Sequence, residues 1–165
     1  MTDLDRFNAL AEETALARLL TCLDCPRWAQ QVAAGRPYAD WPALEAVAGE
    51  AARTLTDAEL TRALARHPRI GERADAARHD ATHSGREQSG VDRADSELVG
   101  QLLEGNRAYE ERFGRVFLIR AAGRDGREIL DHLGRRLRHT DAQERAETIE
   151  QLAQISLLRL REVLT

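Results

Sequence analysis

The stretch Ile149-Glu150-Gln151-Leu152-Ala153-Gln154-Ile155-Ser156-Leu157-Leu158-Arg159-Leu160-Arg161-Glu162-Val163 decides the fold class. Ile149, Leu152, Ile155, Ser156, Leu160 and Val163 fall mostly three and four residues apart. That is the period of one helical face, not the alternation of a half-buried strand. Upstream, Thr140-Asp141-Ala142-Gln143 supplies a hydroxyl cap and an amide three residues on, the signature of a helix start. The reading is one long helix from about residue 141 to residue 164.

Working outward, the same period recurs. Ile129, Leu130, Leu133 and Leu137 stripe residues 127–138, and Leu98, Leu102, Ala108 and Tyr109 stripe residues 92–112, with Phe113-Gly114 as the stop. Thr56-Asp57-Ala58-Glu59 is a capping box whose helix ends before His67, because Pro68 disfavours helical geometry at the residue ahead of it. Residues 42–53 and 26–34 read as helices, the latter with Pro26 at its first position. Residues 4–24 carry a helical pattern with a break near Glu12. Gly35-Arg36-Pro37-Tyr38 is a break, and residues 123–126 form a turn. Val116-Phe117-Leu118-Ile119 is a short apolar run that reads as a strand-like segment or a buried connection. No confident strand and no internal repeat is found, so the expectation is an all-α fold.

Length makes this one domain, a multi-helix bundle over residues 1–165. Residues 71–90 break the helical pattern with a polar, glycine-punctuated run; a loop of this length in a compact domain is usually functional or disordered. All 24 basic residues are arginine. Without lysine there is no Schiff base, no lysine-anchored pyridoxal phosphate and no P-loop lysine. A net charge of −4 with interspersed signs, and few aromatic residues, argue against nucleic-acid binding. No apolar run approaches the about 20 residues of a membrane span. Residues 1–13 are acidic and polar, unlike a signal peptide, and residues 161–165 hold no address motif. A cytoplasmic setting is the expectation.

Several residues could do chemistry. His67-Pro68-Arg69-Ile70-Gly71 and Ser84-Gly85-Arg86-Glu87-Gln88 place one imidazole and one carboxylate in polar segments between helices, where acid/base groups are commonly held. His67 also reads as a helix-end or surface histidine, and Ser84-x-x-Glu87 as a capping box. Arg159 lies on or beside the apolar stripe of the last helix, as a salt-bridge partner or an anchor for a carboxylate or carbonyl. Arg135, Arg136 and Arg138 read as cations meeting a helix C-terminus. His79 and His83 stand four apart without the surroundings of a metal site. Cys22 and Cys25 have no second pair to complete a zinc site and no βαβ context for redox work, so they read as reduced thiols at a helix junction.

Taken in order, a set of short motifs resembles the OHCU decarboxylase family (OHCU being 2-oxo-4-hydroxy-4-carboxy-5-ureidoimidazoline). They are Trp28 with Arg36-Pro37-Tyr38; His67-Pro68-Arg69-Ile70-Gly71; Ser84-x-x-Glu87-Gln88; Asn106-x-x-Tyr109; Arg112-Phe113-Gly114-x-x-Phe117-Leu118-Ile119; Ala121-x-Gly123; Arg136-Leu137; and Leu158-Arg159-Leu160. Tyr38 where phenylalanine is common, and His139 near a position often held by asparagine, are mild departures. The resemblance implies an all-α homodimer that needs no metal or organic cofactor and converts OHCU to (S)-allantoin in urate breakdown. It implies His67 and Glu87 as the catalytic pair. It implies a substrate cavity formed by Pro68, Ser84, Gly85, Arg86, Glu87, Gln88, Ile119, Arg120, Ala121, Ala122, Gly123 and Arg159. Two rival readings are a non-catalytic helical binding module and a metal-dependent hydrolase using His67, His79 and His83.

Overall fold

The computed structural model describes residues 1–70 and 92–165. Among these residues there are eight helices and no strand, so the all-α expectation holds. They are α1 (Asp3–Asn8), α2 (Glu12–Cys22), α3 (Pro26–Ala34), α4 (Trp41–Ala52), α5 (Asp57–Leu64), α6 (Asp92–Phe113), α7 (Gly126–Arg136) and α8 (Asp141–Leu164). No helix among the described residues is long and apolar enough to cross a membrane. The long polar run over residues 71–90 lies outside the described residues.

The chain divides into two compact units, Met1–Arg66 with Ile149–Thr165, and His67–Thr148. In the first, the helical pattern of residues 4–24 is two helices. Thr2 and Asp5 form a capping box that starts α1, and α2 begins at Glu12, where the break was expected. Ala15, Leu19 and Cys22 give α2 a buried face at helical spacing. Trp28 is fully buried on α3, and its indole N–H donates to the Ala48 carbonyl of α4 at 2.8 Å. A tryptophan so placed combines a large apolar burial with a satisfied polar tip. The Arg36-Pro37-Tyr38 break is a scaffold device. Arg36 Nη1 donates to the Phe7 and Leu10 carbonyls at 3.0 and 2.8 Å, and Tyr38 Oη donates to the Val32 carbonyl at 2.7 Å. Carbonyls at the ends of α1 and α3 thereby find donors. Across this unit α4 and α8 run antiparallel: Glu45 pairs with Arg161 at 2.5 Å, and Arg53 pairs with Glu150 at 2.8 Å.

In the second unit α6, α7 and the connection between them build one core from Leu102, Tyr109, Phe117, Ile119, Ile129 and Leu133. Gly105 lets α6 approach α7 closely, since a Cβ there would collide with the Leu133 side chain. The run Val116-Phe117-Leu118-Ile119 is neither helix nor strand, and Phe117, Leu118 and Ile119 are buried. Of its two sequence readings, the buried connection is the one found. Asp125 caps α7 by accepting from the Glu128 N–H.

Candidate active site

His67 opens the second unit and is buried, with 7% of its surface exposed. Capping-box chemistry at Thr56 and Glu59 starts α5, α5 ends at Leu64, and Pro68 prevents the helix from continuing through His67. The segment is then fixed from its other side. Arg69 grips Glu110 of α6 in a two-pronged ion pair, Nε to Oε1 at 2.5 Å and Nη2 to Oε2 at 2.9 Å. Ile70 packs on the α6–α7 core. One exposed residue, Pro68, thus separates a buried imidazole from a bidentate anchor.

The second predicted segment packs on the same core. Ile119 belongs to it and Ala121 lies against it, while Arg120 is half-buried and Ala122 and Gly123 are exposed. Gly123 has φ of 76°, a left-handed conformation that glycine adopts without strain. The structure therefore brings Ile70 of the His67 segment and Ile119 and Ala121 of the second to one hydrophobic cluster of the second unit. Arg159 is half-buried and belongs to the first unit, on α8. Its charge is felt by Cys22: burial pushes that thiol up, against the Thr21 hydroxyl and the Arg159 guanidinium, which draw it down. Ser84, Gly85, Arg86, Glu87 and Gln88 lie outside the described residues, as do His79 and His83.

Behind the 119–121 segment stands a buried polar network whose roles composition and periodicity did not show. Arg136 and Glu144 are both fully buried and paired, with Arg136 Nε donating to Glu144 Oε1 at 2.8 Å and Nη2 adding a second, short contact. Arg136 Nη1 donates to the Leu118 carbonyl at 2.7 Å, so the guanidinium ties the connection to the start of α8. Tyr109 Oη donates to Glu144 Oε1 at 2.6 Å. Burial, then this hydrogen bond to a carboxylate, pushes the phenol up to about 12. Arg135 and Arg136 stand in the last turn of α7, as expected of cations meeting a helix C-terminus, and they also pair with acidic side chains of α8, Arg136 with Glu144 and Arg135 with Glu147 at 2.6 Å. The signal was present only in the resemblance, which carries Tyr109 and Arg136 without stating why.

His139, Glu144 and Glu147 bring three potential metal-ligand atoms within 4.8 Å of one another. Both carboxylates are already engaged by guanidiniums, so a cation would have to displace Arg136 and Arg135. His132 sits between Arg124 at 2.5 Å and Arg135 at 3.0 Å, and burial followed by those two charges lowers its basicity. The thiols are free and buried. Cys25 donates to Glu59 Oε2 at 2.7 Å, which adds to burial in pushing that thiol up and makes it a structural donor, not a nucleophile.

Fold and site define a class: an all-α protein in which a buried histidine opens the unit that carries the α6–α7 core. The chain matches the OHCU decarboxylase family over residues 8–161. It is 32% identical over 166 residues to the 2-oxo-4-hydroxy-4-carboxy-5-ureidoimidazoline decarboxylase of Amia calva, covering 98% of this chain and 94% of that protein. Its fold is shared with a crystal structure of OHCU decarboxylase in the presence of (S)-allantoin, with a TM-score of 0.68 and 20% identity over 94% of this chain and 99% of that one. It is also shared with a crystal structure of (S)-allantoin synthase, with a TM-score of 0.70 and 16% identity over 97% of this chain and 53% of that one. The chain belongs to the OHCU decarboxylase family and is a carboxy-lyase.

Proposed function

We propose that this chain decarboxylates OHCU to (S)-allantoin in urate breakdown, with His67 as the acid/base and Glu87 orienting the substrate. The observation that carries the reading is the near-full-length relationship to the Amia calva decarboxylase. The burial of His67 and its rigid tether through Arg69 and Glu110 fit the reading, because an acid/base group must be held in one place to act. In this reading residues 1–165 act as one catalytic domain.

The chemistry explains why a chain without lysine suffices. The bond from the ring carbon to the carboxylate breaks and CO2 leaves. The electron pair stays on the ring and spreads into the conjugated system of the substrate, so no Schiff base or other external electron sink is required. The hydroxyl proton departs as a carbonyl forms, and one proton is returned to one face of the carbon that becomes the stereocentre. His67 assists the hydroxyl and then delivers that proton. Glu87 accepts from the hydroxyl or a ureido N–H. Arg159 and backbone N–H groups of Ile119, Arg120, Ala121, Ala122 and Gly123 bind ring or carboxylate oxygens. Ser84 and Gln88 read the ureido group, with Pro68, Gly85 and Arg86 completing the wall. The resemblance further supports a homodimer, and this reading places the protein in the cytoplasm.

The test generates OHCU in situ from urate with urate oxidase and hydroxyisourate hydrolase, and follows allantoin by circular dichroism. A fast, single-handed signal that persists with a chelator is expected, and His67→Asn should slow it by at least about a hundredfold. A slow racemic signal equal to the blank would overturn the reading.

A further inference from the structure

Asn106 lies in the middle of α6 with 2% of its surface exposed, and neither its amide oxygen nor its amide nitrogen makes a hydrogen bond among the described residues. A primary amide offers two donors and an acceptor, and burying all of them unmatched is costly enough that native proteins rarely do it. The Arg136, Glu144, Tyr109 and Leu118 network of the same unit shows the opposite arrangement, buried polar groups matched to one another. A carboxamide with both its oxygen and its nitrogen unmatched is therefore informative.

Its position is informative as well. One turn away on the same helical face stands Glu110, the carboxylate that anchors Arg69 and so the His67 segment. Leu102, one turn in the other direction, and Tyr109 belong to the core on which Ile70 and Ala121 both pack. Asn106 thus shares a face of α6 with the anchors of the two segments that flank the proposed site within this unit.

We infer that Asn106 is a substrate-binding residue whose carboxamide pairs with an amide-like face of the ligand, an N–H beside a C=O as found in ureido and ring-amide groups. The carboxamide is left unmatched in the free protein because its complement arrives with the substrate. Such a group also confers selectivity, since a ligand lacking the complementary face leaves it unpaired. The inference rests on the decarboxylase reading above.

Asn106→Leu, which keeps the number and branching of side-chain heavy atoms but is apolar, separates a binding role from a structural one. Removing an unmatched amide should leave Tm unchanged or raise it, while kcat/KM for OHCU falls about ten- to a hundredfold through lost binding. A variant with undiminished Tm and kcat/KM within twofold of the parent would overturn the inference. If the variant does not fold, side-chain amide NMR of the unmodified protein decides. The Asn106 NH2 resonances should move on titration with (S)-allantoin, and their constancy at saturation would refute the assignment. Activity of the unmodified protein is the control: its absence would fault the decarboxylase reading, its presence with an indifferent Asn106→Leu would fault only this one.

Discussion

Arg136 and Glu144 form an ion pair with no exposed surface on either side chain, and the same guanidinium holds the Leu118 carbonyl at 2.7 Å. Two desolvated charges are stable together only while each compensates the other. Removing one leaves the other uncompensated, at a cost of about 3–5 kcal/mol. Arg136→Met should therefore lower stability in urea unfolding by that order. It should also lower activity, since the buried connection leading to Ile119 loses its tie. A loss well under about 1 kcal/mol would show that water reaches the pair.

Arg69 and Glu110 pose the opposite case. The pair is bidentate but its side chains are 47% and 25% exposed, so its contribution to stability should be about 0–1 kcal/mol. Its value lies in placement, two residues from His67. Arg69→Ala should leave Tm nearly unchanged yet lower kcat/KM by about ten- to a hundredfold, the scale expected when a catalytic group loses its alignment. Glu110→Ala should do the same, and the double variant should cost little more than either single one. Full additivity would show that the two residues act separately.

These two pairs mark how far the sequence is legible. Helical period and capping chemistry placed α3 at its observed bounds and located α5, α7 and α8 closely, because each is a local property of a few neighbouring residues. The division of residues 4–24 at Ala9–Ala11 matches the break read near Glu12. Long-range pairing is a different matter. Nothing in the neighbourhood of Arg136 announces that its charge is buried against Glu144, since an arginine at a helix end is ordinarily solvated. Likewise Arg69 reads as a surface cation until Glu110, 41 residues on, is seen beneath it. Of the site, the resemblance named the residues, and the structure adds the frame that holds Ile70, three residues after His67, and Ile119 on one core.

Glu59 links two helices and a pH range. Burial alone would raise its carboxyl, but hydrogen bonds from the Cys25 thiol, the Thr56 backbone and Arg27 outweigh this and hold it at about 2, against an ordinary 4.5. A depressed folded-state value means that the unfolded chain takes up the proton first as pH falls. The resulting stability is complete above the unfolded value and is lost as pH drops from about 4.5 towards 2. Glu59→Gln should accordingly be less stable at neutral pH and show a shallower loss across that acid range, as read from unfolding midpoints at a series of pH values. Parallel profiles for parent and variant would remove Glu59 from the acid response.

Two glycines of α6 should respond to alanine with opposite sign. Alanine in an exposed helix interior is favoured over glycine by about 1 kcal/mol, because glycine has more backbone freedom to lose. Gly100 meets that condition: a Cβ there encounters nothing within 4 Å among the described residues. Gly100→Ala should raise stability by about 0.5–1 kcal/mol. Gly105 has the same intrinsic preference, but its Cβ would be driven into the Leu133 side chain, a residue with 1% exposure and little room to yield. Overpacking of this kind costs about 1–3 kcal/mol, which exceeds the propensity gain, so Gly105→Ala should destabilise. The cause can be isolated with Leu133→Ala. That change alone leaves a cavity worth about 2–5 kcal/mol, but it also removes the colliding atoms, so Gly105→Ala should be neutral or favourable in its presence. If Gly105→Ala is equally harmful in both backgrounds, the close approach of α6 to α7 does not depend on the Gly105–Leu133 contact.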